Sequence, residues 1–165
     1  MNVTYHELCN KFKIIKNQRT TSEKFMIQEI ELLFITFKES LSMHTHSYTR
    51  IINQRGAFVI RQSEQVERVT YRFVNQLRDI ISQCVVDEHN HHGIMFNVEV
   101  GVGSDPVGPP EAIITLKCKI SPLNGDLYTI KIEESDFNYY PSSATNRFDE
   151  VCVAMKYYLL NKINC

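Results

Sequence analysis

Apolar residues recur every third or fourth position in the N-terminal part of the chain and every second position through its middle. From Thr4 to Lys16, Tyr5, Leu8, Cys9, Phe12 and Ile15 fall at helical spacing. Thr20-Thr21-Ser22-Glu23 then offers an N-cap with a carboxylate three residues on, the pattern of a capping box. It predicts a second helix running to about Met43. The apolar residues of that helix, among them Phe25, Met26, Ile30, Leu33, Phe34 and Phe37, cover more than one stripe. Such a helix is expected between packed elements or in a subunit interface. Tyr48 to Gln62 reads as a hairpin, with Arg50-Ile51-Ile52 and Phe58-Val59-Ile60 flanking Asn53-Gln54-Arg55-Gly56. The alternative there is an irregular linker with a short helical turn.

From Ser63 onward, Val66, Val69, Phe73, Leu77, Ile80, Ile81 and Cys84 step by three and four, which predicts an amphipathic helix capped by Ser63. Three alternating stretches follow: Met95 to Val102, Ala112 to Ile120 and Leu127 to Ile132. Asn124-Gly125 marks a hairpin turn between the last two. Ser142 or Ser143 would cap a final helix carrying Phe148, Val151, Cys152, Met155, Leu159 and Ile163. The expected fold is therefore α+β. A helical N-terminal region, residues 1–62 and a candidate dimerisation element, precedes an α-β-β-β-α two-layer unit, residues 63–165, with a three-stranded antiparallel sheet.

That order of helix, three strands and helix, over residues 64 to 163, resembles the double-stranded RNA-binding domain. The resemblance implies a basic cluster at the start of the last helix, where that family holds phosphates. The matching segment here, Ser142-Ser143-Ala144-Thr145-Asn146-Arg147-Phe148-Asp149-Glu150, has one Arg and two acids. The phosphate-binding residues are missing.

Charge segregates along the chain. Residues 1 to 63 hold nine Lys/Arg against five Asp/Glu, whereas residues 64 to 165 hold nine against fourteen. The C-terminal part would repel a polyanion, so Lys11, Lys13, Lys16 and Arg19 are the candidate contacts to nucleic acid or to an acidic protein surface. A hydrophobic content of 43% with 22% charged residues fits a globular protein. Five cysteines without a Cys-x-x-Cys pair point to a reducing cytoplasm, with Cys84, Cys118 and Cys152 in core positions. No leader and no apolar run of ~18 to 20 residues is found, so no membrane span is expected. Scarce Ala with abundant Ile, Asn, Lys, Tyr and Phe suggests an AT-rich gene, as in a low-GC bacterium or its phage.

No catalytic signature stands out. His44 with His46, and His89, His91 and His92 beside Asp87 and Glu88, match no metal-ligand spacing, and neither a metal nor a cofactor is expected. The glycines of Gly101-Val102-Gly103-Ser104-Asp105-Pro106-Val107-Gly108 lead into a strand rather than a helix, and the prolines that follow remove amide donors. This is read as an exposed binding loop. Ser104 and Asp105 with the acidic strip Glu133, Glu134 and Asp136 form the candidate partner-binding surface. The resulting expectation is a non-enzymatic, homodimeric protein-binding module, one specific form being a phage-encoded inhibitor or modulator of a host enzyme such as a protease or nuclease. The alternative is a nucleic-acid-binding protein using the basic N-terminal helices.

Overall fold

A computed structural model describes residues 3–43, 45–54, 60–74, 93–124, 126–141 and 146–164. Helix α1 spans Tyr5–Ser40 without interruption. Its N-cap is Thr4, whose hydroxyl accepts from the Glu7 N–H while the Glu7 carboxylate accepts from the Thr4 N–H at 2.7 Å. A break at Thr20 was expected and does not occur. Thr20 and Thr21 instead donate their hydroxyls back to the carbonyls of Lys16 and Asn17, at 2.9 and 3.1 Å, which lets them sit inside a helix. The helix stops where Ser42 turns to a left-handed φ of 50°.

The hairpin follows as β1 (Ser47–Gln54) and β2 (Ile60–Glu67), paired antiparallel from Ser47↔Glu67 to Gln54↔Ile60. β3 (Val69–Phe73), β4 (Ile94–Val102), β5 (Ala112–Asn124), β6 (Leu127–Ile132) and β7 (Ser135–Tyr139) form a second, five-stranded sheet in the order β3-β4-β5-β6-β7. Each strand pairs antiparallel with its neighbour in sequence. α2 (Asp149–Ile163) closes the chain. The α+β class and the three central strands agree with the sequence pattern, but the sheet has five strands rather than three.

Two corrections explain the difference. The helix expected from Ser63 is not formed over residues 63–74, which lie in β2 and β3; the rest of that expectation, with Leu77 to Cys84, falls outside the described residues. Val66, Val69 and Phe73 satisfy a three-four spacing, yet Val69, Tyr71 and Phe73 equally satisfy alternation. Val69 is buried and Tyr71 and Phe73 half-buried, while Thr70 and Arg72 are exposed. A β-branched and aromatic run with an open edge of β4 beside it pairs as a strand. With strands over residues 63–74 and five strands in the sheet, the described residues do not follow the helix–three-strand–helix order of the resemblance. β7 is the second addition, carrying Phe137 and Tyr139 inward between exposed Asp136 and Asn138. The Ser142 or Ser143 cap falls outside the described residues, and α2 begins after Phe148 with no side-chain cap bond.

Both helices contribute to a single core with one face of the large sheet. Met26, Ile30, Leu33 and Phe37 of α1 follow one helical stripe. They join Phe96, Val98, Leu116, Ile120 and Ile130 of the sheet and Val151, Met155 and Leu159 of α2. Cys118 and Cys152 are buried too, and burial pushes their thiols up to about 12 and about 11. Glu29 lies on the same stripe of α1 at 4% exposure. Its Oε2 accepts from the Tyr139 hydroxyl at 3.0 Å and from Arg147 Nε at 3.2 Å, and Oε1 accepts from Arg147 Nη2 at 3.0 Å. Burial first, and then the Glu29 carboxylate, raise the Tyr139 pKa, so the phenol remains a donor.

Removing one member of a buried ion pair leaves the other uncompensated. Glu29→Ala should therefore cost about 3 kcal/mol in urea unfolding. The double replacement Glu29→Leu/Arg147→Met should cost less than Glu29→Ala alone, because no buried charge is then stranded.

Candidate functional site

The residues with functional expectations occupy four separate places. Ser104 and Asp105 are exposed in the connection from β4 to β5. The Ser104 N–H and hydroxyl both donate to Glu111 Oε1, holding the Glu111 carboxyl below its usual range. Asp105 Oδ1 accepts from the Val107 N–H at 3.0 Å, a local turn that shapes the loop by itself.

Glu133 has a different role from its neighbours. It occupies the tight β6–β7 turn with φ at 51°. Its N–H donates to the Lys117 carbonyl at 2.8 Å, and its Oε1 accepts from the Lys117 N–H at 2.9 Å and from Lys162 Nζ at 2.7 Å. Lys162 Nζ also reaches the Thr115 carbonyl at 2.7 Å. Burial by itself would raise the Glu133 pKa, but the bonds from Lys162 and Lys117 outweigh it and hold the carboxyl below its ordinary value. Glu133 is thus a brace between the turn, β5 and the end of α2. Glu134 and Asp136 beside it are exposed.

The acidic strip and the Ser104–Asp105 loop lie at the same end of the sheet but do not meet. On β5 the loop enters at Ala112, whereas the β6–β7 turn comes level with Cys118. Six residues of strand separate these levels by about 20 Å.

Lys11, Lys13 and Lys16 stand in solvent on the first half of α1, and Arg19 lies on the same half. Except for half-buried Ile15, every side chain described from Tyr5 to Thr21 is exposed. The stretch from Tyr5 to Lys16 extends beyond the described body by roughly 18 Å at 1.5 Å per residue. Tyr5, Leu8 and Phe12 form an exposed apolar stripe along it, with Lys11 and Lys16 to either side. Asn17, Gln18, Thr21 and Ser22 border a pocket shared with Tyr128, and the Phe25 ring packs on Tyr128 at 5.2 Å between centroids.

A second apolar stripe, on α2, was missed in the sequence. Val153, Tyr157 and Leu160 lie on one helical face and are 66%, 62% and 60% exposed, opposite the buried face of Val151, Cys152, Met155 and Leu159. Asp149 and Glu150 start the same helix and are exposed. The signal was present: α2, like the second half of α1, is apolar on two sides.

His46 is exposed and offers its carbonyl to the Arg68 N–H, while His44, His89, His91 and His92 fall outside the described residues. Among the described residues no group of three His, Cys, Asp or Glu side chains could hold a metal ion. None of the described helices is long and apolar enough to cross a membrane. No protein-family model matches the chain, and no curated protein or solved structure is found to be similar to it.

The Glu133 brace predicts an acid-sensitive contribution to stability. A carboxyl with a depressed folded-state pKa stabilises the fold above its unfolded pKa, and the contribution is lost as pH falls through the folded value. In urea titrations, Lys162→Met should lower the midpoint at neutral pH, and the gap to wild type should close as pH falls through the depressed folded-state pKa of Glu133, below the ordinary carboxylate range.

Proposed function

We propose that this chain is a non-enzymatic protein-binding module that acts as a homodimer. In the dimer, the overhanging half of α1 from one copy seats on the outward face of α2 of the other. The observation that carries the reading is the pair of unpartnered stripes, Tyr5/Leu8/Phe12 on the arm and Val153/Tyr157/Leu160 on α2. Neither serves the core formed by the described residues of a single copy. Their charges complement each other, Lys11 and Lys16 beside the first stripe and Asp149 and Glu150 at the head of the second. Full burial of a Val, Leu or Phe side chain contributes about 1.5–3 kcal/mol. Reciprocal exchange provides two seats while the association cost of about 4–15 kcal/mol is incurred once. The exposed carboxylates Glu134 and Asp136 and the Ser104–Asp105 loop remain for the protein that the dimer binds. The narrow form of the proposal, a phage-encoded inhibitor of a host protease or nuclease, rests on composition alone.

Complementation tests the arrangement. Leu8→Glu/Phe12→Glu and Tyr157→Glu/Leu160→Glu should each yield monomers by sedimentation. An equimolar mixture should recover a dimer, since one heterodimer seat retains an intact arm and an intact α2 face. A monomeric wild type, or a mixture that stays monomeric, defeats the exchange.

Nucleic-acid binding is the second reading, supported by the solvent-standing lysines of the arm. It expects duplex binding by fluorescence anisotropy that weakens steeply with salt and is lost in Lys11→Glu/Lys13→Glu/Lys16→Glu. Absence of binding at low salt ends it.

A further inference from the structure

Where α1 crosses the start of β6, aromatic side chains gather around one carboxylate. Phe25 of α1, Asp126 and Tyr128 at the head of β6, and Tyr140 and Pro141 just after β7 line a cavity of about 480 Å³. The strand pairing accounts for the grouping. Tyr128 stands opposite Tyr139, and continuing that register brings Tyr140 and Pro141 alongside Leu127 and Asp126. From α1 the Phe25 ring packs on Tyr128 at 5.2 Å between centroids and 44° between planes, so the two rings form a corner. Tyr140 is 65% exposed and, among the described residues, no other ring packs on it. The Asp126 carboxylate is exposed and has neither a hydrogen bond nor an ion pair among the described residues.

Aromatic faces are electron-rich, and together with an unpaired carboxylate they select a cation. An unmodified ammonium carries three N–H donors and a guanidinium five, and each must find an acceptor when it leaves water. The lining side chains offer one carboxylate and two phenol hydroxyls. A trimethylammonium group has no N–H to satisfy, and its methyl groups carry the positive charge onto the ring faces. The volume falls within the range of small-ligand sites, roughly 300–1,000 Å³, with room for the head group and the chain that bears it.

We propose that this cavity binds a methylated ammonium head group, with Phe25, Tyr128 and Tyr140 as its aromatic walls and Asp126 as its counter-charge. A second cavity of about 530 Å³ shares Phe25 and Tyr128 and is otherwise lined by Asn17, Gln18, Thr21 and Ser22. Those amide and hydroxyl side chains suit the backbone of an extended peptide. A trimethylated lysine in such a segment and free choline are therefore the two carriers to separate. The site uses neither exposed stripe and stands whether or not the chain dimerises.

Amide shifts in two-dimensional NMR titrations test it with four probes. These are choline, 3,3-dimethylbutan-1-ol (the same shape without charge), a short peptide bearing trimethyllysine, and that peptide with unmodified lysine. Choline should shift the Tyr128 and Tyr140 amides saturably, with the neutral isostere about tenfold weaker. The trimethylated peptide should exceed the unmodified one by a similar factor. A trimethylated peptide tighter than choline assigns the head group to a lysine side chain, and one no tighter assigns it to a free cation. Tyr140→Leu should weaken binding about fivefold while Tyr140→Phe retains it, and Asp126→Asn should cost about threefold. Both positions are exposed, so these variants keep the fold. Absence of a saturable shift with either methylated probe overturns the proposal. So does the isostere binding as tightly as choline, or Tyr140→Leu binding as wild type does.

Discussion

The carboxylate of Glu29 fixes where α1 lies. Apolar side chains at Met26, Ile30, Leu33 and Phe37 hold the helix to the sheet, but apolar contact tolerates sliding. A buried charge does not. Moving α1 by one turn, about 5.4 Å, would take Glu29 from Arg147 and Tyr139 and leave an uncompensated carboxylate in the core. One residue on α1 therefore sets its register against β7 and the start of α2. Lys156 at the other end of the interface donates to the Ser40 carbonyl at 2.7 Å, placing a cation at the C-terminus of α1. With the helix pinned at both points, its first half has nowhere to go but beyond the body.

A second constraint acts where the strand run 60–73 changes partner. β2 pairs with β1 and β3 with β4, and Arg68 is the one residue between them. Its N–H serves one sheet, its carbonyl the other, and its side chain the β4–β5 loop. That loop approaches closely enough that a Cβ on Gly101 would come within 2.9 Å of the Pro110 ring. A small residue is needed at that point because the loop folds back over the junction. The fold thus concentrates a buried charge, a chain crossing and a close backbone approach at one place.

β4 and β5 were legible because nine or more residues of alternation leave little choice of period, and β6 because the Asn124-Gly125 turn marks its hairpin with β5. The five-residue strands at the two edges were not. Val69 to Phe73 is too short for alternation to exclude a helix, and pairing to β4 decides it. Thr20 and Thr21 failed as signals for the opposite reason: a threonine can cap a helix or bond back within one, and local sequence does not say which. The Glu29 node was invisible because its partners lie more than a hundred residues away, Arg147 by 118 and Tyr139 by 110. Of the candidate surface, the exposed loop was legible. The role of Glu133 was not, since Lys162 meets it only after α2 has docked.

Two sets of large apolar residues are not used by the described core of a single copy. The N-terminal half of α1 is capped at Thr4 and Glu7, yet a helix of this length without packing is marginal in water. Solubility alone would favour polar residues at Tyr5, Leu8 and Phe12, and again at Val153, Tyr157 and Leu160. In both places large apolar side chains follow helical spacing and stay in solvent. Packing among the described residues of one chain accounts for neither stripe, whereas the proposed exchange would account for both. It would also give the overhanging helix the tertiary support that its own body withholds.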